Sequence, residues 1–166
     1  MRKKRKLVEL EREMATAAAY PGWLAAAKRH DDLSGMSEWR QVEHTELYDY
    51  AQIRLRLDRL RNLRSRSDHQ GLLYALNEGI HGNMGGMGRA GLYGHALSGT
   101  KILIEDYIEE IVHTLEHIAD EDSGDISPDA KLDFFRRASH CFGHSAFMMG
   151  GSGSLLYFHV GVVRAL

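Results

Sequence analysis

The sequence predicts a mainly α protein, and two observations lead to this fold class. Apolar residues recur at helical spacing through the first 140 residues of the chain. The last 22 residues, Ser145 to Leu166, instead indicate one buried strand, a glycine-rich turn and an apolar helix. Because a lone strand has no partner for its backbone groups, we expect a helical structure that carries only the opening βα unit of an α/β domain.

The first predicted helices lie at the N-terminus. Leu7, Leu10 and Met14 are at helical spacing, and Pro21-Gly22 is predicted to end this helix before another begins at Trp23. Two more helices are predicted from their apolar faces, formed by Ile53, Leu57 and Leu60 and then by Leu72, Leu73, Leu76 and Ile80. The glycine-rich stretch from Asn83 to Gly91 that follows predicts an irregular loop.

The most regular helix is predicted from about Gly99 to Ala119. One apolar stripe runs along it, formed by Ile104, Ile108, Ile111, Leu115 and Ile118. Ser127-Pro128 then supplies an N-cap followed by proline at the first helical position. The apolar residues predicted to bury this last helix are Leu132, Phe134, Phe135 and Ala138.

Composition narrows the functional classes. The formal net charge is −2, so the chain has no basic surplus to neutralise nucleic-acid phosphates, and we predict no nucleic-acid partner. The single cysteine, Cys141, excludes an intramolecular disulfide and agrees with a reducing compartment. The basic start, Met1 to Lys6, is followed by Leu7-Val-Glu-Leu-Glu11, whose glutamates interrupt the apolar segment that a signal peptide needs. No stretch of the sequence is apolar enough to cross a membrane. These features predict a cytoplasmic chain.

Two short motifs match the residue patterns of known binding sites but lack the neighbouring features that such sites need. Gly86-Met-Gly-Arg-Ala-Gly91 matches G-x-G-x-x-G, but a dinucleotide site needs a strand directly before it, and a helix is predicted there. His113-Thr-Leu-Glu-His117 matches the zinc-protease pattern H-x-x-E-H. Since no third ligand accompanies the two histidines, we interpret them as a solvated helix face and predict no metal site.

Two charged segments leave alternatives open. The stretch from Arg54 to Arg66 is rich in arginine, which fits either a solvated helix face or contact with anionic lipid headgroups or an acidic partner. The helix from Gly99 to Ala119 is amphipathic, but its polar face is acidic, whereas helices that lie on membranes carry Lys and Arg. We therefore expect that helix to pack within the domain.

The C-terminal segment resembles a known family. Ala146 to Leu166 is similar to the opening strand, oxyanion loop and first helix of the patatin-like lipid acyl hydrolases, in the branch that includes fungal and plant triacylglycerol lipases. The closest likeness is in Phe158-His-Val-Gly-Val-Val-Arg-Ala-Leu166. Upstream, Gly99-Thr-Lys-Ile-Leu-Ile-Glu-Asp-Tyr107 and Lys131 to Ser139 resemble the helical extension that precedes the patatin domain in that branch.

The resemblance implies an oxyanion site at Gly151, Ser152 and Gly153, whose main-chain N–H groups would hold the negative oxygen. The family's nucleophile is a serine in a later G-x-S-x-G motif, and its base is an aspartate in a later D-G turn. Neither motif occurs in these 166 residues, so no catalytic residue is assigned here. We expect no cofactor, and we expect this chain alone to be an inactive, truncated part of a longer lipase.

The expected organisation has two parts. Residues 1–140 would form the helical extension, and residues 141–166 would start the patatin-like domain. The longer protein would hydrolyse acylglycerol or phospholipid esters in lipid catabolism, with peripheral contact at a membrane or lipid surface. The alternative is a non-catalytic helical module that binds a protein partner or a lipid surface. The sequence that follows Leu166 in the gene would discriminate between the two.

Overall fold

The computed structural model describes residues 2–80 and 83–141, and in these two ranges the chain forms helices and loops without a strand. The α-helices of these ranges are α1 Arg2–Thr16, α2 Tyr20–Ser34, α3 Met36–Gln41, α4 Tyr50–Ser65, α5 His69–Gly79, α6 Ile102–Asp120 and α7 Pro128–Cys141. Two 3₁₀ turns, Met84–Gly86 and Ala90–Leu92, lie between α5 and α6. The mainly α prediction is confirmed there, whereas the predicted strand at residues 145–149 and the helix after it lie outside the described residues.

Short polar residues fix where several helices begin. Three side chains accept a main-chain N–H from the first turn: Asp49 from Gln52 at 3.0 Å, Asp68 from Gly71 at 2.9 Å and Ser127 from Ala130 at 3.2 Å. The predicted cap at Ser127-Pro128 is therefore confirmed. Gly35 separates α2 from α3 with a φ of 93°, a left-handed conformation that favours glycine.

The core forms around α4 and α6. These two helices pack against each other, α5 contacts both of them, and α7 packs on α5. Each helix contributes large apolar side chains that are almost fully buried: Ile53, Leu57 and Leu60 from α4, Leu72 and Leu76 from α5, Leu103, Ile104, Tyr107, Ile111 and Ile118 from α6, and Phe134 from α7. Burying each of them contributes roughly 1.5–3 kcal/mol, so this cluster is the main source of stability in the described fold.

The first two helices form a hairpin beside this core. α1 packs on α2 and buries none of its described residues, whereas α2 buries Ala26, Ala27 and Asp31. α2 continues into α3, and α3 contacts α6. The hairpin is therefore connected to the core through α3 and the start of α6.

Two predicted helix details differ from the structure. α1 already ends at Thr16, and Pro21 lies in the first turn of α2, so Pro21-Gly22 starts a helix rather than ending one. Proline is tolerated there because the first N–H groups of a helix have no intrahelical acceptor. In α7, Phe134 and Ala138 are buried as predicted, but Leu132 is 50% exposed because its helical position lies on a different face from Phe134.

The apolar stripe of α6 is also rotated from its predicted position. Ile104, Ile111 and Ile118 are buried and Leu115 is half-buried, but Ile108 is 45% exposed. Glu110 is buried in its place, together with Tyr107 and Thr114. A carboxylate can occupy this position because arginines of α4 face it across the helix contact.

Candidate functional site

The predicted oxyanion residues Gly151, Ser152 and Gly153 lie outside the described residues. The structure instead describes the helical part that precedes them in the chain. Apart from Glu110 and Thr114 in the middle of α6, its buried polar groups lie near the start and near the end of that helix. Both places fall within segments whose sequence strings were singled out above.

The start of α6 contains a buried lysine. Lys101 is 1% exposed, and its ammonium donates hydrogen bonds to the carbonyl oxygens of Trp39 at 2.5 Å and Val42 at 2.7 Å. The same nitrogen lies 4.1 Å from the centre of the Trp39 ring, a cation–π distance. Burial lowers the pKa of Lys101. The lysine thus binds the end of α3 to the start of α6.

An arginine–glutamate pair continues this connection. The Arg40 guanidinium donates to both carboxylate oxygens of Glu105, at 2.8 and 2.6 Å, and to the carbonyl oxygen of Thr100 at 2.8 Å. Glu105 also accepts the N–H of Thr100 at 2.8 Å. Gly99 has a φ of 148°, and a β-carbon there would collide with Glu105. The string Gly99-Thr-Lys-Ile-Leu-Ile-Glu105 is therefore a structural connection to α3.

Asp31 joins α2 to the same segment. Its fully buried carboxylate accepts the main-chain N–H of Leu97 at 3.0 Å and the N–H and hydroxyl of Ser98 at 2.8 and 2.6 Å. Burial works to raise its pKa, but these hydrogen bonds outweigh burial and hold the pKa of Asp31 below its ordinary value. The charged groups of this network thus bind main-chain and side-chain groups of the same domain, which is the arrangement of a scaffold rather than of a catalytic centre.

The arginine-rich stretch of α4 is largely paired inside the domain. Its side chains form ion pairs with acidic residues of neighbouring segments: Arg54 with Glu43, Arg59 with Glu78, Arg61 with Asp106 and Arg64 with Glu110. The Glu110 side chain is only 3% exposed and accepts hydrogen bonds from Arg64 at 2.6 and 3.0 Å. Carboxylates of α6, in the same domain, are therefore among the acidic groups that this stretch binds.

The G-x-G-x-x-G match has no nucleotide-binding context. Gly86 follows α5 and the residues after it, rather than a strand, and the motif occupies the two 3₁₀ turns. The next long helix begins only at Ile102, so the loop presents no helix N-terminus to a phosphate. The strand and helix that a dinucleotide site needs on either side of this motif are therefore not seen among the described residues.

The H-x-x-E-H motif divides between two environments at the end of α6. His113 is exposed, as a solvated face predicts. His117 differs, because its Nε2 atom is buried without a hydrogen-bond partner and its ring centre lies 5.2 Å from that of His69. His69, at the start of α5, bonds Asp125 through Nδ1 at 2.9 Å. Sequence reasoning missed His69 because it lies 48 positions before His117.

None of the described helices combines the length and the apolar character that crossing a bilayer requires.

Comparison with known proteins identifies the family to which the chain belongs. The family model described as "Domain of unknown function (DUF3336)" matches residues 1–140. The chain is 32% identical to triacylglycerol lipase ptl3 of Schizosaccharomyces pombe over 95% of its length and 32% of that protein. It is 31% identical to triacylglycerol lipase 5 of Saccharomyces cerevisiae over 99% of the chain and 22% of that protein. A patatin-like phospholipase domain-containing protein of Cryptococcus neoformans is 31% identical over 95% of the chain and 18% of that protein.

These matches cover only part of each relative. The chain spans about a third or less of the length of these curated proteins. No solved structure matches it significantly. Because the family model covers most of the chain, the sequence belongs to the DUF3336 family, the N-terminal domain of proteins named triacylglycerol lipases and patatin-like phospholipases.

Proposed function

We propose that this chain is the N-terminal part of a patatin-like serine lipid acyl hydrolase that cleaves the esters of acylglycerols or phospholipids. Residues 1–140 are its helical extension, and residues 141–166 open its patatin-like domain with a strand, a glycine-rich turn and a helix. The observation that carries the proposal is that two relatives named triacylglycerol lipases match at least 95% of the chain, including most of this C-terminal segment.

The proposed chemistry divides between this chain and the residues that follow the matched region in the relatives. The main-chain N–H groups of Gly151, Ser152 and Gly153 would stabilise the oxyanion that forms when a serine attacks the ester carbonyl. An aspartate would accept the serine proton, the alcohol would leave, and water would then hydrolyse the acyl-enzyme. The serine and aspartate motifs do not occur in these 166 residues, so we expect the chain alone to hydrolyse no ester.

The helical extension would serve as a scaffold in this proposal. Its buried and half-buried charged groups bind partners within the domain; they are Asp31, Arg40, Lys101 and Glu105. These bonds favour a rigid scaffold for the following segment over a second reaction centre. No metal or cofactor takes part in the proposed reaction.

A chimera would test the proposal. The region of Schizosaccharomyces pombe triacylglycerol lipase ptl3 that matches this chain is replaced by residues 1–166, and release of oleate from triolein is measured. We expect the chimera to retain activity and the isolated chain to have none. A folded, soluble chimera without activity would contradict the proposal, as would turnover of a short nitrophenyl ester by the isolated chain.

Two substitutions at one position test the oxyanion assignment within the chimera. Ser152→Pro removes a main-chain N–H, and we expect it to lower kcat by about 10²–10³-fold. Ser152→Ala keeps the N–H and removes only the hydroxyl, so we expect activity close to that of the parent chimera. Equal loss in both variants would indicate that the hydroxyl, not the main-chain donor, is required.

We also propose that the start of α1 contacts an anionic lipid surface. Arg2, Lys3, Lys4, Arg5 and Lys6 are exposed, and none of them forms an ion pair with another described residue. Each basic residue near an anionic membrane contributes about 1 kcal/mol. We expect the chain to sediment with phosphatidylserine-containing vesicles and Lys3→Glu/Lys4→Glu to abolish this, whereas Lys28→Glu on α2 should not. Equal sedimentation of both variants would contradict the assignment.

A further inference from the structure

Four residues with metal-binding side chains meet where the start of α5 lies beside the end of α6. His69 belongs to α5, His117 to α6, and Glu121 and Asp125 to the connector that leads to α7. One ligating atom each from His69, Glu121 and Asp125 lie within 4.8 Å of one another. The His117 ring packs against that of His69 with their centres 5.2 Å apart. Within residues 2–80 and 83–141, this is the one group of three such side chains.

Two atoms of this cluster are buried without a hydrogen bond. They are Nε2 of His117 and Oε2 of Glu121, and the Glu121 side chain is only 3% exposed. Buried polar atoms nearly always have a partner, because leaving one unsatisfied destabilises the fold. The other carboxylate oxygen of Glu121 accepts hydrogen bonds from Ser123, which hold the pKa of Glu121 below its ordinary value. Glu121 is therefore a carboxylate whose Oε2 atom is buried without a hydrogen bond.

We propose that His69, His117, Glu121 and Asp125 form a binding site for a divalent transition metal, most suitably zinc. Two imidazole nitrogens and two carboxylate oxygens match the ligands that zinc prefers, whereas calcium and magnesium prefer oxygen ligands alone. Ligating atoms around tetrahedral zinc lie about 3.3 Å apart, given bonds of about 2.0 Å, so the atoms of His69, Glu121 and Asp125 would need only small movements, and the His117 ring would turn toward them. The site shares His117 with the H-x-x-E-H motif but does not include His113.

Lys131 is the group that competes with a metal for this site. Its ammonium lies 3.4 Å from Oε2 of Glu121 and also donates to the carbonyl oxygen of Glu121. A long flexible side chain can leave when a divalent ion binds. Lys131→Met removes this positive charge and should therefore lower the Kd for zinc. If Lys131 served only as a structural ion pair, the substitution would destabilise the fold without lowering that Kd.

The proposed metal would join three segments that are distant in sequence. It would hold together the start of α5, the end of α6 and the connector that leads into α7. Binding to the folded chain alone would raise its melting temperature by mass action. The site would thus contribute to stability and not to ester hydrolysis.

Calorimetric titration tests the site directly. The chain, without an affinity tag and stripped with EDTA, is titrated with zinc chloride, and we expect one ion per chain with a Kd of about 1 µM or below. Calcium and magnesium should give no heat of binding. His69→Gln and Glu121→Gln should each weaken zinc binding by at least about tenfold. His113→Gln, on the same helix but outside the site, is the matched control and should leave Kd unchanged.

Three results of the titration would overturn the proposal. They are the absence of zinc binding, zinc binding that His69→Gln and Glu121→Gln leave unchanged, and zinc binding that is lost in His113→Gln. Melting curves of the metal-free variants show whether they fold. If both unfold, the visible absorption of the Co²⁺-loaded parent chain decides, because four-coordinate cobalt absorbs strongly and hexahydrated cobalt weakly. A spectrum of hydrated cobalt alone would overturn the assignment.

Discussion

Replacing Asp31 by alanine is expected to destabilise the fold strongly. The carboxylate is fully buried and accepts hydrogen bonds from three donors: the N–H of Leu97, the N–H of Ser98 and the hydroxyl of Ser98. Each donor left without an acceptor costs roughly 1 kcal/mol or more, so Asp31→Ala should lower the free energy of unfolding by about 3 kcal/mol. That corresponds to a fall of about 6–12 °C in melting temperature for a chain of this size.

Urea unfolding followed by circular dichroism measures this loss. The control is Asp32→Ala, one position along the same helix, where the side chain is exposed and a change of less than about 0.5 kcal/mol is expected. If the two variants had equal stability, the reasoning that Asp31 connects α2 to the segment before α6 would be refuted.

The same residue makes a prediction about pH. Because the pKa of Asp31 is lower in the folded chain than its ordinary value of 3.8, its charge stabilises the fold fully above that value. This contribution is lost as the pH falls through the lower, folded-state pKa. The stability difference between the parent chain and Asp31→Asn, which cannot titrate, should therefore shrink as the pH is lowered below about 4. A difference that stayed constant down to pH 2 would show that Asp31 has no depressed pKa.

Three further perturbations test other parts of the fold. Phe134→Ala should lower the free energy of unfolding by about 3–5 kcal/mol, whereas Leu132→Ala in the same helix should change it by less than about 0.5 kcal/mol. A double-mutant cycle between Arg64 and Glu110 should give a coupling energy of about 1 kcal/mol, because the carboxylate is buried although the arginine is partly exposed. Lys101→Met should cost about 2 kcal/mol by leaving two carbonyl oxygens without their donor. Urea unfolding measures all three.

Two controls belong to these measurements. A cycle between Arg59 and Glu78, which are both more than a third exposed, should give less than about 0.5 kcal/mol. Lys28→Met, at an exposed position of α2, should leave stability unchanged within the same margin. A Lys101→Met variant as stable as Lys28→Met would contradict the role assigned to the buried ammonium.

Helix positions were predictable because they depend on neighbours in sequence. The spacing of Ile53, Leu57 and Leu60 and the cap at Ser127 both correspond to observed features. Pro21 was misassigned because proline is compatible with the end of one helix and with the first turn of the next. Sequence spacing alone does not distinguish these two cases.

The buried polar residues could not be predicted in the same way. Glu110 is buried and Ile108 exposed because Arg64, from another helix, supplies the charge that Glu110 needs. Likewise, His117 differs in environment from His113 because the His69 ring of another helix packs against it. Such pairings depend on how helices meet in space, and helical periodicity carries no information about partners more than 40 positions away.

The network around Asp31 and Arg40 has a consequence for the order of events during synthesis. Its hydrogen bonds join residues 58 to 67 positions apart, so the first forty residues cannot complete them until Glu105 has been made. At about 5–20 residues per second, a ribosome needs roughly 3–13 s to add the 65 residues between Arg40 and Glu105. During that interval the hairpin of α1 and α2, with α3, lacks its connection to α6, and its exposed apolar side chains are available to chaperones on the nascent chain.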